Sequence, residues 1–292
     1  MIRISIPATC ANIGPGFDVF GMALEFSNSI EIEKSTQFSI FIEGEGKGVL
    51  PETEENLAIK ALRTIYKGDL NQFSIRFKNK IPLARGLGSS ATAIVGGLVA
   101  GNLLSGEPYS EEELLKMAIE IEGHPDNVTP AMLGGFTISY KVENAFRSVK
   151  IIPPEFYVYL IIPGYKLETE RMRSVLPDTY KREDIIYNVA RASLVVTAFL
   201  NGDISLLKEA ISDRIHEPYR GKFIKGYFEL RDLLLRDGSG VCAISGSGPT
   251  ISCFSERDDL DKKLTQYMED LEISGKLIKT RPSLEGVKIE SA

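Results

Sequence analysis

The sequence contains no tryptophan, two histidines and three cysteines among its 292 residues. With so few ligating side chains, zinc sites built on paired CxxC or on HExxH are excluded, and so is a disulfide framework. Cys10, Cys242 and Cys253 are expected to be buried thiols in a reducing compartment. Also missing is any apolar run of the roughly 18 residues that a membrane-spanning helix requires. The opening Met1-Ile2-Arg3-Ile4-Ser5-Ile6-Pro7 alternates like a strand and lacks the apolar centre and small-residue cleavage site of a signal peptide, so a cytoplasmic protein is expected. A basic excess is absent too. Lys and Arg number 34 against 40 Asp and Glu, a formal net charge of -6, with a pI near 5.3. Binding nucleic acid through many phosphate contacts calls for the opposite balance. An anionic small molecule stays within reach, because backbone amides at a helix start hold phosphate without Lys or Arg.

What remains is ordinary globular composition, 43% hydrophobic and 25% charged, with a mean hydropathy of -0.03. A chain near 300 residues exceeds the size at which one core stops growing, so two lobes sharing an extensive contact are expected. Period-two alternation predicts strands at 2–6, 26–32, 38–42 and 73–77, and the apolar spacing of 54–66 fits a helix. Ser110 followed by Glu113 reads as a capping box, opening a helix that runs to Glu122 and stops at Gly123. Pro125 argues that Gly123-His124-Pro125-Asp126-Asn127 is not regular helix. A strand is expected near 136–140. The lobe boundary is placed between Asn144 and Pro154, giving an N-terminal lobe of 1–148 and a C-terminal lobe of 149–292. In the second half, helices are predicted at 183–200, 204–212, 223–235 and 259–271, and strands at 156–162, 241–244, 250–254, 277–280 and 287–289. Helices and strands mixed without a strict βαβ period indicate α+β layers.

One segment carries chemistry on its face. Pro82-Leu83-Ala84-Arg85-Gly86-Leu87-Gly88-Ser89-Ser90-Ala91-Thr92 follows a strand and leads into a run of small and apolar residues to Leu104, a strand, glycine loop and helix in succession. Its Gly86 to Ala91 satisfies GxGxxA, but a dinucleotide site needs an acid on the next strand about 20 residues later, and that interval ends in the loop Ser105-Gly106-Glu107-Pro108. No GxxxxGK[ST] P-loop occurs. The anion-binding argument survives both rejections. Small residues let amides approach a phosphate, a helix start adds about half a positive charge, and Ser89, Ser90 and Thr92 offer hydroxyls. A tight turn capped by a serine is the plainer reading of the same loop. Gly96, Gly97 and Gly101 in the following helix predict close packing on a neighbour.

Three motifs together resemble one family. The opening Pro7-Ala8-Thr9-Cys10-Ala11-Asn12-Ile13-Gly14-Pro15-Gly16-Phe17-Asp18-Val19-Phe20-Gly21 resembles the substrate-side motif of homoserine kinases. The 82–92 loop is similar to the phosphate-binding motif of the wider superfamily of galactokinase, homoserine, mevalonate and phosphomevalonate (GHMP) kinases, and Ser245-Gly246-Ser247-Gly248-Pro249-Thr250 to its C-terminal glycine motif. Glu122-Gly123-His124-Pro125-Asp126-Asn127-Val128 points to the homoserine branch. The departures are minor: Cys10 stands where Ser is common, and Ser247 where Ala often is.

The resemblance implies a two-lobed α+β GHMP-kinase fold, with a mixed sheet and the glycine loop in the N-terminal lobe, and an antiparallel sheet and helices in the C-terminal one. It implies transfer of the ATP γ-phosphoryl group to the hydroxyl of L-homoserine, giving O-phospho-L-homoserine for threonine synthesis. ATP, Mg²⁺ and L-homoserine would be the ligands, without nucleic acid or membrane, and a homodimer is allowed. Amides of the 82–92 loop would hold the phosphates, and Ser90 with a carboxylate the Mg²⁺. Glu120 and Glu122 compete for that role. Two apart on a helix, they face differently, so one metal cannot easily use both, and Glu120 is favoured. Asn12, Asp18 and His124 match substrate-binding positions, Asp18 as the ammonium partner, and Arg173 and Arg220 match the carboxylate-binding cations. Asp126 is the general-base candidate, or with Asn127 it orients the loop and metal. Arg171 reads as a surface residue and His216 as one that shapes the loop carrying Arg220. Two other readings stay open: another small-alcohol kinase of the same fold, as in the shikimate or mevalonate pathway, and a non-catalytic ATP and ligand sensor.

Overall fold

The computed structural model describes residues 1–143 and 145–291. From the N-terminus the chain forms β1 (Ile2–Ala11), β2 (Phe20–Lys34), β3 (Ser39–Gly44), α1 (Leu57–Ile65), β4 (Phe73–Asn79), α2 (Ser89–Leu104), α3 (Glu111–Glu122), α4 (Pro125–Leu133), β5 (Phe136–Val142), β6 (Ala145–Ile151) and β7 (Tyr157–Pro163). It continues through α5 (Thr169–Ser174), α6 (Arg182–Asn201), α7 (Leu207–Ala210), α8 (Glu217–Arg220), α9 (Tyr227–Asp237), β8 (Val241–Ile244), β9 (Ile251–Ser255), α10 (Leu260–Asp270), β10 (Gly275–Thr280) and β11 (Lys288–Ser291).

One sheet has the order β11-β1-β2-β4-β3, with β5 beside β2 and β6 beyond β5. It is mixed because β3 and β4 run parallel, joined by the crossover through α1, while the other pairs are antiparallel. The second sheet, β10-β7-β9-β8, is antiparallel throughout. The α+β reading is therefore as expected from the element pattern, and the character of both sheets is as the family resemblance implies.

Helices α1 to α4 cover one face of the mixed sheet, enclosing Ile4, Ile30, Ile75, Leu62, Val95 and Leu115. Because α2 lies in the middle of this layer, it is apolar nearly all round. A Cβ on Gly97 would sit 2.1 Å from the Ala58 carbonyl oxygen, and one on Gly101 2.5 Å from that of Leu62. These glycines let the backbones of α1 and α2 touch, the close packing their presence predicts. A second core, in which Phe156 stacks on Phe199 and Phe136 and Phe254 meet them at steep angles, joins the sheets and takes in α6 and α7. A third lies under α9 and α10. All three cysteines are buried, and among the described residues no helix is long and apolar enough to cross a membrane.

Several boundaries differ from expectation. The first helix begins at Leu57, because Asn56 caps it by accepting the Ala58 amide. The capping box at Ser110 and the stop at Gly123 form as read. Pro125 does not interrupt a helix but opens α4 at its first position, where its missing N–H costs nothing, so Asp126 and Asn127 stand in the first helical turn. The helix expected at 204–212 is a short 3₁₀ turn followed by the single turn of α7. The helix expected from 223 begins at Tyr227 after Gly226. A division between 148 and 149 would cut β6, which forms a hairpin with β5. Asn144, where the expected boundary stretch begins, lies outside the described residues. The last strand, β11, returns to pair with β1, so the mixed sheet is built from both ends of the chain.

Candidate active site

A cavity of about 480 Å³ opens where three distant segments meet: the loop after β1, the glycine loop before α2 and the turn between β8 and β9. The Thr9 amide donates to the Leu87 carbonyl (3.2 Å), the Gly246 amide to Ala11 (3.1 Å), and Ser245 Oγ to the Gly86 carbonyl (2.6 Å). Gly86 and Gly88 have φ of +73° and +71°. A Cβ on Gly86 would lie 2.1 Å from the Ser245 carbonyl oxygen, and one on Gly88 2.0 Å from Thr9 Oγ1, so only glycine fits.

Gly88 is also the N-cap of α2, and no side chain caps that helix. This corrects the capping-serine reading: Ser89 and Ser90 are the first two helical residues, and the opening amides of α2 are left for a ligand, where the helix dipole favours an anion. Of the predicted loop, Leu83 to Ser90 and Thr92 line the cavity, whereas Pro82 and Ala91 are buried behind it. Two side chains are committed elsewhere. Thr92 Oγ1 accepts from Asn28 Nδ2 (3.1 Å) and donates to the Ser89 carbonyl. Arg85 donates to the carbonyls of Pro163 (3.0 Å) and Gly164 (2.9 Å), tying the loop to the end of β7.

Ser90 Oγ donates to Glu122 Oε1 at 2.6 Å. Burial raises the Glu122 pKa, against the hydrogen bond from Ser90. Glu120, favoured from the sequence, is exposed and does not line the cavity. The correction follows from helix phase: residues two apart point to opposite sides, and here Glu122, next to the left-handed Gly123 that ends α3, faces the start of α2. Among the described residues no group of three or more His, Cys, Asp or Glu could hold a metal ion.

Beside this pair, His124 Nδ1 lies 2.6 Å from Asp126 Oδ1. Burial works to lower the His124 pKa, but the bond to Asp126 and the charges of Asp126 and Glu122 outweigh it, so the ring titrates higher than usual. Asp126 is 2% exposed. Asn127 Oδ1 accepts from Thr9 Oγ1 (2.8 Å), fixing α4 to β1.

At the other end, Asp18 and Arg173, 155 residues apart, form a two-pronged ion pair at 2.7 and 2.9 Å. Hydrogen bonding to Asp18 raises the Arg173 pKa despite burial. Asn12 lines the cavity, but its amide is committed to bracing the opening loop: Nδ2 donates to the Gly246 carbonyl (2.9 Å) and Oδ1 accepts the Asp18 amide (3.0 Å). Arg220 is 1% exposed. Its Nε donates to the Met172 carbonyl and Nη1 to that of Gly246. Burial, with Arg173 nearby, lowers its pKa to about 10, so it remains charged at neutral pH. Among the described residues it has no ion-pair partner. Arg171 instead stands exposed over the Phe223 ring.

Sequence reasoning missed the layer behind Arg220. Asp213 Oδ2 accepts the amides of Ile215, His216 and Glu217 at 2.7–3.0 Å, a capping arrangement that an Asp a few residues before Glu-Pro could have signalled. Glu217 is fully buried. Its Oε1 accepts the Ile244 amide (2.9 Å), and burial together with the charge of Asp213 pushes its pKa up to about 8. Beyond the glycine loop, the cavity continues against Leu50, Asn56 and Phe77, for which no sequence signal stood out.

The site sits in a chain with close relatives. The GHMP kinases N terminal domain matches residues 56–135 and the GHMP kinases C terminal domain residues 195–271. The chain is 37% identical to a homoserine kinase of Clostridium novyi (strain NT) over 99% of both chains. To a homoserine kinase of Desulfitobacterium hafniense it is 40% identical over 86% of both. A crystal structure of homoserine kinase from Cytophaga hutchinsonii superposes with a TM-score of 0.86 at 28% identity, covering 99% of this chain and 97% of that one. With both family domains present in order and the likeness running nearly end to end, the chain belongs to the homoserine kinase family of the GHMP kinases.

Proposed function

We propose that this protein transfers the γ-phosphoryl group of ATP to the side-chain hydroxyl of L-homoserine, giving O-phospho-L-homoserine. One observation carries the reading. A single cavity has uncapped helix amides at one end and, at the other, a carboxylate and two arginines whose charges complement a zwitterion. Homology supports it independently.

The ATP phosphates lie on the amides of Gly86 to Ala91, with the base in the continuation of the cavity near Leu50, Asn56 and Phe77. Ser90 Oγ and Glu122 Oε1 form an all-oxygen pair that would hold Mg²⁺ arriving with the nucleotide. Bound there, the ion would supply positive charge against the phosphates. The ammonium of homoserine pairs with Asp18, and its carboxylate with Arg173 and the unneutralised Arg220. In the free protein Asp18 and Arg173 satisfy each other. The substrate supplies each with a replacement, so neither charge is stranded. Phosphoryl transfer asks mainly for positioning and charge stabilisation. Asp126, held by His124, is the acceptor for the hydroxyl proton.

The test is turnover. Purified protein with ATP, Mg²⁺ and a panel of alcohols is followed by ADP release and by ³¹P NMR of the product. L-Homoserine is expected to be the preferred acceptor. A preference for a shikimate- or mevalonate-type alcohol would reassign the substrate, and binding of ATP and homoserine without turnover would turn the reading to a sensor.

A further inference from the structure

Phe17 lies in the opening loop beside Asp18 but does not line the cavity. Its ring centroid is 5.0 Å from Arg220 Cζ and 5.7 Å from Arg173 Cζ. The His216 ring stacks against it, with centroids 5.4 Å apart and planes 28° from parallel. His216 is wholly buried, and burial holds its pKa below the usual value, so the ring is neutral. Its Nε2 faces the Gly14 carbonyl at 2.9 Å and therefore carries the proton. The opening loop is thus anchored to the 213–217 turn at Gly14 and supported there through Phe17. A Cβ on Gly14 would lie 2.5 Å from the Ile211 carbonyl oxygen, which leaves this junction little slack.

We infer that Phe17 is a positioning residue for the substrate's carboxylate: its ring holds the guanidinium groups of Arg173 and Arg220 together without adding a second carboxylate to that of Asp18, which already pairs Arg173, so that Arg220 keeps its charge unpaired. This rests on the function proposed above. Two cations sharing one site repel; Asp18 pairs Arg173, whereas Arg220 has no ion-pair partner among the described residues. A second carboxylate in place of Phe17 would relieve the repulsion further but would also occupy the donors of Arg220, the one guanidinium of the two not yet paired with an acid. An aromatic ring attracts a guanidinium through its quadrupole and leaves the in-plane N–H groups available for a two-pronged bond. A neutral His216 behind it adds no third positive charge.

The experiment compares Phe17→Leu and Phe17→Met, which keep bulk and lose the ring's charge distribution, with Phe17→Tyr, which keeps it. Steady-state kinetics are measured on L-homoserine and on L-homoserine amide, whose carboxamide cannot make the ionic contact. For F17L and F17M the KM for L-homoserine should rise roughly five- to thirtyfold. The kcat should stay within about threefold and the KM for ATP should be unchanged, while F17Y behaves as wild type. On the amide the same variants should lose less than about twofold in kcat/KM. Equal losses on the two substrates, a fall in kcat at constant KM, or no change in any variant would overturn the proposal. A wild-type enzyme that phosphorylated some other carboxylate-bearing alcohol instead of L-homoserine would overturn the substrate assignment, and the same acid-against-amide comparison on that alcohol would then judge Phe17. One that phosphorylated no such alcohol would overturn both.

Discussion

Replacing Glu217 with Gln removes a carboxyl group that is wholly buried one turn before Arg220. The wild-type group titrates at about 8, against an ordinary 4.5. Between those values the folded chain keeps a proton that the unfolded chain has released. The group's contribution to stability is therefore fully present below pH 4.5, falls as pH rises, and is lost once pH passes about 8. The slope approaches about 1.4 kcal/mol per pH unit, and the whole loss is roughly 5 kcal/mol. Gln cannot ionise, yet its Oε1 can still accept the Ile244 amide that Glu217 now holds at 2.9 Å. Urea denaturation of both proteins at pH 5, 6, 7 and 8 should give curves that diverge with pH, the variant gaining on wild type at each step with unchanged m-value. Parallel pH profiles would refute the argument, because they would mean that Glu217 ionises in the folded protein as readily as in the unfolded one.

Changing Glu122 to Gln should lower kcat/KM about 100-fold or more and raise the Mg²⁺ concentration needed for half-maximal rate, whereas Glu120→Gln should change neither by more than about twofold; a Mg²⁺ titration of each variant decides it. Asp18→Ala removes the ammonium partner and leaves Arg173 unpaired, so the KM for homoserine should rise roughly 10- to 100-fold while nucleotide affinity, measured by calorimetry, stays put. Asp126→Asn should cut kcat by roughly 100-fold or more if the carboxylate takes the hydroxyl proton, and a loss of less than tenfold in single-turnover rate would leave Asp126 only an orienting role. Gly97→Ala should destabilise the fold by roughly 1–3 kcal/mol, read as a lowered Tm, since the new methyl would meet the Ala58 carbonyl oxygen.

Local patterns carried much of this into the sequence. The alternation in 2–6 and 73–77 marks strands because successive side chains in a strand point to opposite faces. The Ser110 capping box and the Gly123 stop are read correctly because both are satisfied within a few residues of chain. Proline misled at 125, since the same ring breaks a helix in its interior and starts one at its first position, and which applies depends on where the preceding helix ends. The strand β6 lacks a clean alternation, and its identity comes from pairing with β5.

By itself the sequence determined the α+β class and marked the glycine loop as a candidate anion site, while the two sheet types and the candidate site residues came with the family resemblance. Glycines at 86 and 88 are required by their positive φ and by the close approach of Ser245 and Thr9. Only the tertiary structure decided which of those residues act together. Glu122 rather than Glu120 meets Ser90, a matter of helix phase and of how α3 packs beside α2. Asp18 pairs with Arg173 across 155 positions of chain, Thr92 is committed to Asn28, and Arg85 to backbone carbonyls at the end of β7. The layer of Phe17, His216 and Glu217 behind the arginines exists only because folding buries it. Sequence spacing constrains contacts within one helix or strand, while contacts between elements depend on packing, which no local pattern encodes.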